Sequence, residues 1–158
     1  MITYSPALNY LYRTLVGAES LLGIQLNGAQ ALVERHGEIL LIKTTYRPHW
    51  EFPGGKIESL EAPESAAIRE TKEEARVFIR NIVRKLGTYS EKRFFTTITM
   101  HVYVAGEWEE LDLWRPNLEI AERRFFPIDQ LPEDIAPATK RRIEEFLSGG
   151  HDEFSGSW

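Results

Sequence analysis

The chain has 158 residues, 42% hydrophobic and 27% charged, with a net charge of −5, which suits one folded domain with a proper core and argues against wholesale disorder. It has no cysteine, so disulfides, thiolate metal sites and cysteine nucleophiles are excluded. No apolar run approaches the ~18 residues of a membrane span, no basic segment followed by an apolar core opens the chain, and no lysine or arginine block marks a nucleic-acid surface; the expectation is a cytoplasmic protein that binds no DNA.

Ser5 to Ser20 opens with an N-cap serine and a proline at the first helical position, and Leu8, Leu11, Tyr12, Leu15 and Val16 recur at helical spacing, predicting a short amphipathic helix. Such a helix can dock on its own domain, on a second subunit or on a membrane surface; its one arginine gives little attraction to anionic lipid, which favours the first two, so a homodimer is admitted. Two strands joined at His36-Gly37 follow. The stretch from Tyr46 to Ser59, with its prolines and glycines, reads as a structured loop. Ala62 to Arg76 is a helix candidate with Pro63 in an early position. Val77 to Tyr89 and Arg93 to Ala105 read as strands joined at Ser90-Glu91-Lys92. Phe125 to Ile128 reads as a short buried strand, and Pro137 to Leu147 as a last helix stopped by Gly149-Gly150. The tail His151 to Trp158 reads as loose, with Phe154 and Trp158 able to anchor it.

The candidate helix carries RETKEEAR, Arg69 to Arg76. Glu70, Glu73 and Glu74 stand at i, i+3 and i+4, one face of a helix, where like charges repel unless something compensates. Taken alone, this is the pattern of a solvated face. The preceding Pro53-Gly54-Gly55-Lys56 changes the reading. Glycine permits a tight backbone bend and close approach to the main chain. A turned carbonyl beside three carboxylates makes an all-oxygen site, suited to a hard cation such as Mg²⁺ or Mn²⁺.

Gly55, five residues, Glu61, seven residues, then Arg69-Glu70-Thr71-Lys72-Glu73-Glu74-Ala75-Arg76-Val77 resembles the Nudix box, and WEFPGGKIE is similar to the family's approach to it. Thr71 stands where that pattern has a bulky aliphatic residue, Arg76 where it has glycine, and Leu60 where a glycine commonly precedes the first glutamate. Arg76 matters most, because that glycine lets the chain leave the helix in a left-handed conformation. The resemblance implies an α/β fold, an α/β/α sandwich around a mixed β-sheet. It divides the chain into an N-terminal helical extension (1–20), the domain itself (21–148) and a C-terminal tail (149–158).

The resemblance also implies roles. Glu70, Glu73 and Glu74 would ligate Mg²⁺ or Mn²⁺ with the carbonyl of Gly54 or Gly55. Arg69 would orient a glutamate, Glu61 would support the site from outside, and Glu119 or Glu122 would be the further acid found outside the box. The implied reaction is hydrolysis of the diphosphate linkage in a nucleoside diphosphate joined to another group, with RNA 5′ ends as a narrower version. A nucleotide-binding module that has lost catalysis is the alternative. Lys56 and Arg47 are candidates for phosphate, and Trp50 and Phe95 for stacking on a base. In the family a proline past the box often accompanies ADP-ribose hydrolysis; none lies between Val77 and Arg115, so the resemblance weakens ADP-ribose as the substrate without excluding it.

Overall fold

The computed structural model describes residues 5–7, 9–11, 14, 26–93, 96–149 and 153–158. Most of the N-terminal helix predicted over 5–20 lies outside the described residues. Within them, the Ser5 amide donates to the Thr45 carbonyl (2.6 Å) and the Asn9 side-chain amide to the Tyr46 carbonyl (2.5 Å).

The core is built on strands buried on both faces. In β1 (Leu26–Leu32), Ala29 and Ala31 point to one side and Leu32 to the other. In β3 (Glu38–Thr44), Leu40 and Ile42 oppose Ile39 and Leu41 in the same way. All seven are fully buried or nearly so. Such near-continuous apolar runs are what strands covered on both faces require, and each fully buried Leu or Ile contributes about 1.5–3 kcal/mol.

Helix α1 (Pro63–Ala75) covers the first side, where Ala66, Ala67 and Ala75 meet Ala29 and Ala31. Small residues on both partners let the helix lie close to the sheet. Helix α2 (Pro137–Leu147) covers the second side with Ile143 and Phe146. Both helices begin at a proline, whose missing N–H costs nothing there.

Five strands form a mixed sheet in the order β11 (Phe154–Ser157), β7 (Ile82–Arg93), β8 (Thr96–Ala105), β1 and β5 (Gly54–Lys56). Its β11–β7 and β8–β1 pairs are parallel, the others antiparallel. A second sheet orders β10 (Ile120–Pro127), β3 and β2 (Glu34–Arg35), with β4 (Trp50–Glu51) also on β3. The α/β sandwich is therefore as expected.

Three expectations change. The strand expected over Val77–Tyr89 breaks at Asn81, whose side chain accepts the Glu107 amide (2.7 Å). Its first part, β6 (Val77–Ile79), pairs instead with β9 (Trp108–Glu110). The hairpin tip expected at Ser90–Lys92 moves outward, because strand pairing continues to Arg93↔Thr96. The tail is a strand rather than loose chain, with Phe154 and Trp158 packed on the α2-side core.

Candidate functional site

Helix α1 sets Glu70, Glu73 and Glu74 over the Gly54-Gly55 strand β5. Gly55 approaches Glu70 so closely that a Cβ there would stand 2.6 Å from the carboxyl carbon. Gly54 (φ +153°) is held tightly on its other side, where a Cβ would run into the Ala29 carbonyl and lie 2.6 Å from the Gln30 Cα. Its amide donates to Glu74 Oε2 at 2.7 Å. The glycine pair is thus required by contact on both sides, and it seats two of the three carboxylates.

Arg69 gathers the rest. Its Nε and Nη2 grip Glu61 in a fork (2.9 and 3.0 Å), and Nη1 reaches Glu70 (2.8 Å) and Glu73 (3.3 Å). Nη2 also donates to the Lys56 carbonyl (3.1 Å), tying helix to β5. The bond from Arg69, with the Glu58 amide, pulls the Glu61 carboxyl down to about 2. Burial pushes Glu70 above the usual carboxylate range against the pull of Arg69, with Glu73 and Glu119 adding to the rise. Glu74, 6% exposed, is pushed well above that range by burial. The Gly54 amide opposes the shift, while Glu70, Glu51 and Glu119 reinforce it.

Among the described residues, Glu74 has no ion-pair partner, and no three His, Asp or Glu side chains stand placed to hold one ion. The carboxylates are spoken for by Arg69 and the Gly54 amide. The donor chemistry nevertheless fits a hard divalent cation: oxygen atoms only, close to main chain, with one buried carboxylate uncompensated.

The other predicted residues divide. Glu119, exposed at the foot of β10, acts on Glu70 and Glu74, whereas Glu122 is exposed on β10 opposite Lys43. Arg47 pairs with Glu51 (2.7 Å) and Lys56 is exposed at the end of β5. Trp50 is corrected: it is 5% exposed and packs edge-on against Phe126 (4.8 Å), a core ring rather than a stacking surface. Phe95 lies outside the described residues. Arg76 and Leu60 both keep the left-handed conformation that glycine would take (φ 53° and 67°), at about 1 kcal/mol each. Thr71 is buried and bonds back to the Ala67 carbonyl (2.7 Å).

Three residues escaped the sequence reading. Glu51, 8% exposed beside Arg47, acts on Glu74. Asp112 pairs with Arg76, and the Trp114 indole donates to the Glu74 carbonyl (2.8 Å). Only the WEFPGG context hinted at Glu51; nothing local marks the other two.

A glycine strand under a helix of paired glutamates, inside an α/β/α sandwich, defines a class of protein. A family model described as the NUDIX domain matches residues 28–146. The chain belongs to this family of hydrolases acting on pyrophosphate bonds. It is 36% identical over 122 residues to a human protein named diphosphoinositol polyphosphate phosphohydrolase 3-beta, covering 74% of this chain and 73% of that one. It is 29% identical over 85 residues to an 8-oxo-dGTP diphosphatase of Proteus vulgaris, covering 51% of this chain and 75% of that one. Among solved structures, a MutT NUDIX hydrolase from Burkholderia pseudomallei aligns with a TM-score of 0.67 at 28% identity, over 77% of this chain and 97% of that one. A NUDIX hydrolase from Nitrosomonas europaea shares the fold with a TM-score of 0.68 at 21% identity, over 79% and 90%.

Proposed function

We propose that the protein is a metal-dependent pyrophosphohydrolase that cleaves the diphosphate linkage of a nucleoside diphosphate joined to another group, with residues 21–148 carrying the activity. The observation that carries this reading is Glu74: a buried carboxylate with no cation paired to it among the described residues, seated on the Gly54 amide beside Glu70 and Glu73. Burial of an unpaired carboxylate is costly, and a site that gathers such charge is suited to an ion that arrives with substrate.

Glu70, Glu73 and Glu74, with the Gly54 or Gly55 carbonyl, would hold Mg²⁺ or Mn²⁺, which neutralises diphosphate charge and lowers the pKa of water. The chain's own residues supply position. Arg69, locked by its fork to Glu61, fixes the orientation of Glu70 and Glu73. The Gly54 amide fixes Glu74. Glu70 and Glu119 are the carboxylates available to take a proton from the attacking water, Glu119 from outside the helix. Lys56 and Arg47 are the cations nearest in sequence to the glycine strand for the remaining phosphate charge.

The relatives frame the test: the substrate panel spans dNTPs including 8-oxo-dGTP, diphosphoinositol polyphosphates, ADP-ribose, dinucleoside polyphosphates, nucleotide sugars and capped or triphosphorylated RNA. Turnover of at least one with Mg²⁺ or Mn²⁺ is expected, falling about 10²–10⁴-fold in Glu73→Gln. Tight nucleotide binding without turnover would replace the hydrolase by a silent binding module.

A further inference from the structure

The segment after β9, Leu111 to Leu118, lies across the C-terminal end of α1 and satisfies groups that the helix leaves open. The last carbonyls of a helix have no partner within it. Here the Trp114 indole N–H donates to the Glu74 carbonyl (2.8 Å) and the Leu111 amide to the Arg76 carbonyl (3.0 Å). Arg76 Nε and Nη2 each donate to one oxygen of Asp112 at 2.8 Å. The Trp114 ring packs on the α1-side core. At its other end the segment is pinned beside β3. Asn117 Oδ1 accepts the Glu119 and Ile120 amides (2.8 Å each), and Thr45 donates its hydroxyl to the Leu118 carbonyl and its amide to the Glu119 carbonyl (2.8 Å each).

One strap therefore joins the helix turn bearing Glu73 and Glu74 to the turn bearing Glu119. We infer that Trp114 and the Arg76–Asp112 pair are positioning residues, holding this strap so that Glu74 and Glu119 keep their relative placement; the inference rests on the proposed hydrolase reading. It also accounts for Arg76. An arginine in the left-handed position gives up the ease of glycine and gains a two-pronged tie to the strap, which glycine cannot make.

The test uses Trp114→Phe, which keeps a ring but removes the donor, together with Asp112→Asn, Asp112→Glu and Arg76→Gly in the full chain. Three readings are taken: steady-state kinetics on whichever panel substrate the wild type turns over, Mn²⁺ affinity without substrate, and amide hydrogen exchange. The expected result is a kcat about 10-fold lower or more in Trp114→Phe and Asp112→Asn, with KM within about twofold. Exchange should quicken across 111–119 but not in β1 or β8, and Asp112→Glu should recover part of kcat. Unchanged kcat beside quickened exchange would overturn the inference, as would unchanged exchange. A wild type that binds Mn²⁺ yet hydrolyses nothing would sink the hydrolase reading instead. The strap would then be judged on Mn²⁺ affinity, and an affinity unmoved in Trp114→Phe would overturn it.

Discussion

The two helices that cover the sheet both bring charged side chains close to the core, and they settle them in opposite ways. On α2, the buried Arg142 (3% exposed) pairs with Glu145 (2.9 Å), lies over the Tyr89 ring (3.6 Å to the centroid) and donates to the Ser157 carbonyl. Tyr89 in turn donates to Glu145 (2.6 Å). One cation meets one anion, and the tail is fastened by the same network. On α1, among the described residues, a single guanidinium serves Glu61, Glu70 and Glu73, while Glu74 is left with a main-chain amide. A balanced buried network is the mark of structure. An acid excess held by covalent proximity, against its own repulsion, is what the proposed cation site would draw on.

Breaking each side should have opposite consequences. The largest effect on stability is expected on the balanced side: Arg142→Met leaves Glu145 without its cation and should cost about 3 kcal/mol, read as a lowered urea midpoint, with kcat unchanged where the protein stays folded. On the acid-rich side, Glu74→Gln should do the reverse. The amide can still accept from Gly54 while the buried charge is gone, so stability should rise by about 0.5–2 kcal/mol as divalent-cation response and turnover are lost.

A smaller effect concerns pH. The Glu61 carboxyl is lowered in the fold from 4.5 to about 2, so the native state binds its proton less readily than the unfolded chain. Its contribution is complete above about pH 4.5 and is lost as pH falls toward 2. Glu61→Gln should flatten stability across that window alone. The smallest change is expected for the stability of Arg76→Gly, where relief of the left-handed backbone, about 1 kcal/mol, offsets loss of a solvent-screened ion pair with Asp112.

How much of this was legible beforehand follows from the range of the contacts. Glu70, Glu73, Glu74 and Arg69 share a face because of helical spacing, which sequence displays directly. Gly54 and Gly55 announce close approach by their lack of a side chain. The α/β/α arrangement came from resemblance to a family, since the short strands alone do not state their order. What stayed hidden depends on distant partners. Asp112 and Trp114 meet Arg76 and Glu74 across 36 and 40 residues. Strands β4 and β5 hid within an expected loop because two or three residues carry no periodicity and their partners lie elsewhere. Trp50 looked available beside prolines and glycines, yet pairing of β4 with β3 turns it into the core. The tail strand Phe154–Ser157 has small polar residues and no alternation to betray it.

The central claim, that the acid excess on α1 is a cation site, is tested most directly by thermal melting during titration with Mg²⁺ or Mn²⁺. At 100 times the dissociation constant, binding to the native state alone adds about 2.7 kcal/mol, a rise of roughly 5–10 °C for a chain of this size. The wild type should show that rise, and the combined Glu70→Gln, Glu73→Gln and Glu74→Gln variant should start higher and not respond. A wild-type melting curve indifferent to both ions, or a variant that responds as the wild type does, would contradict the account.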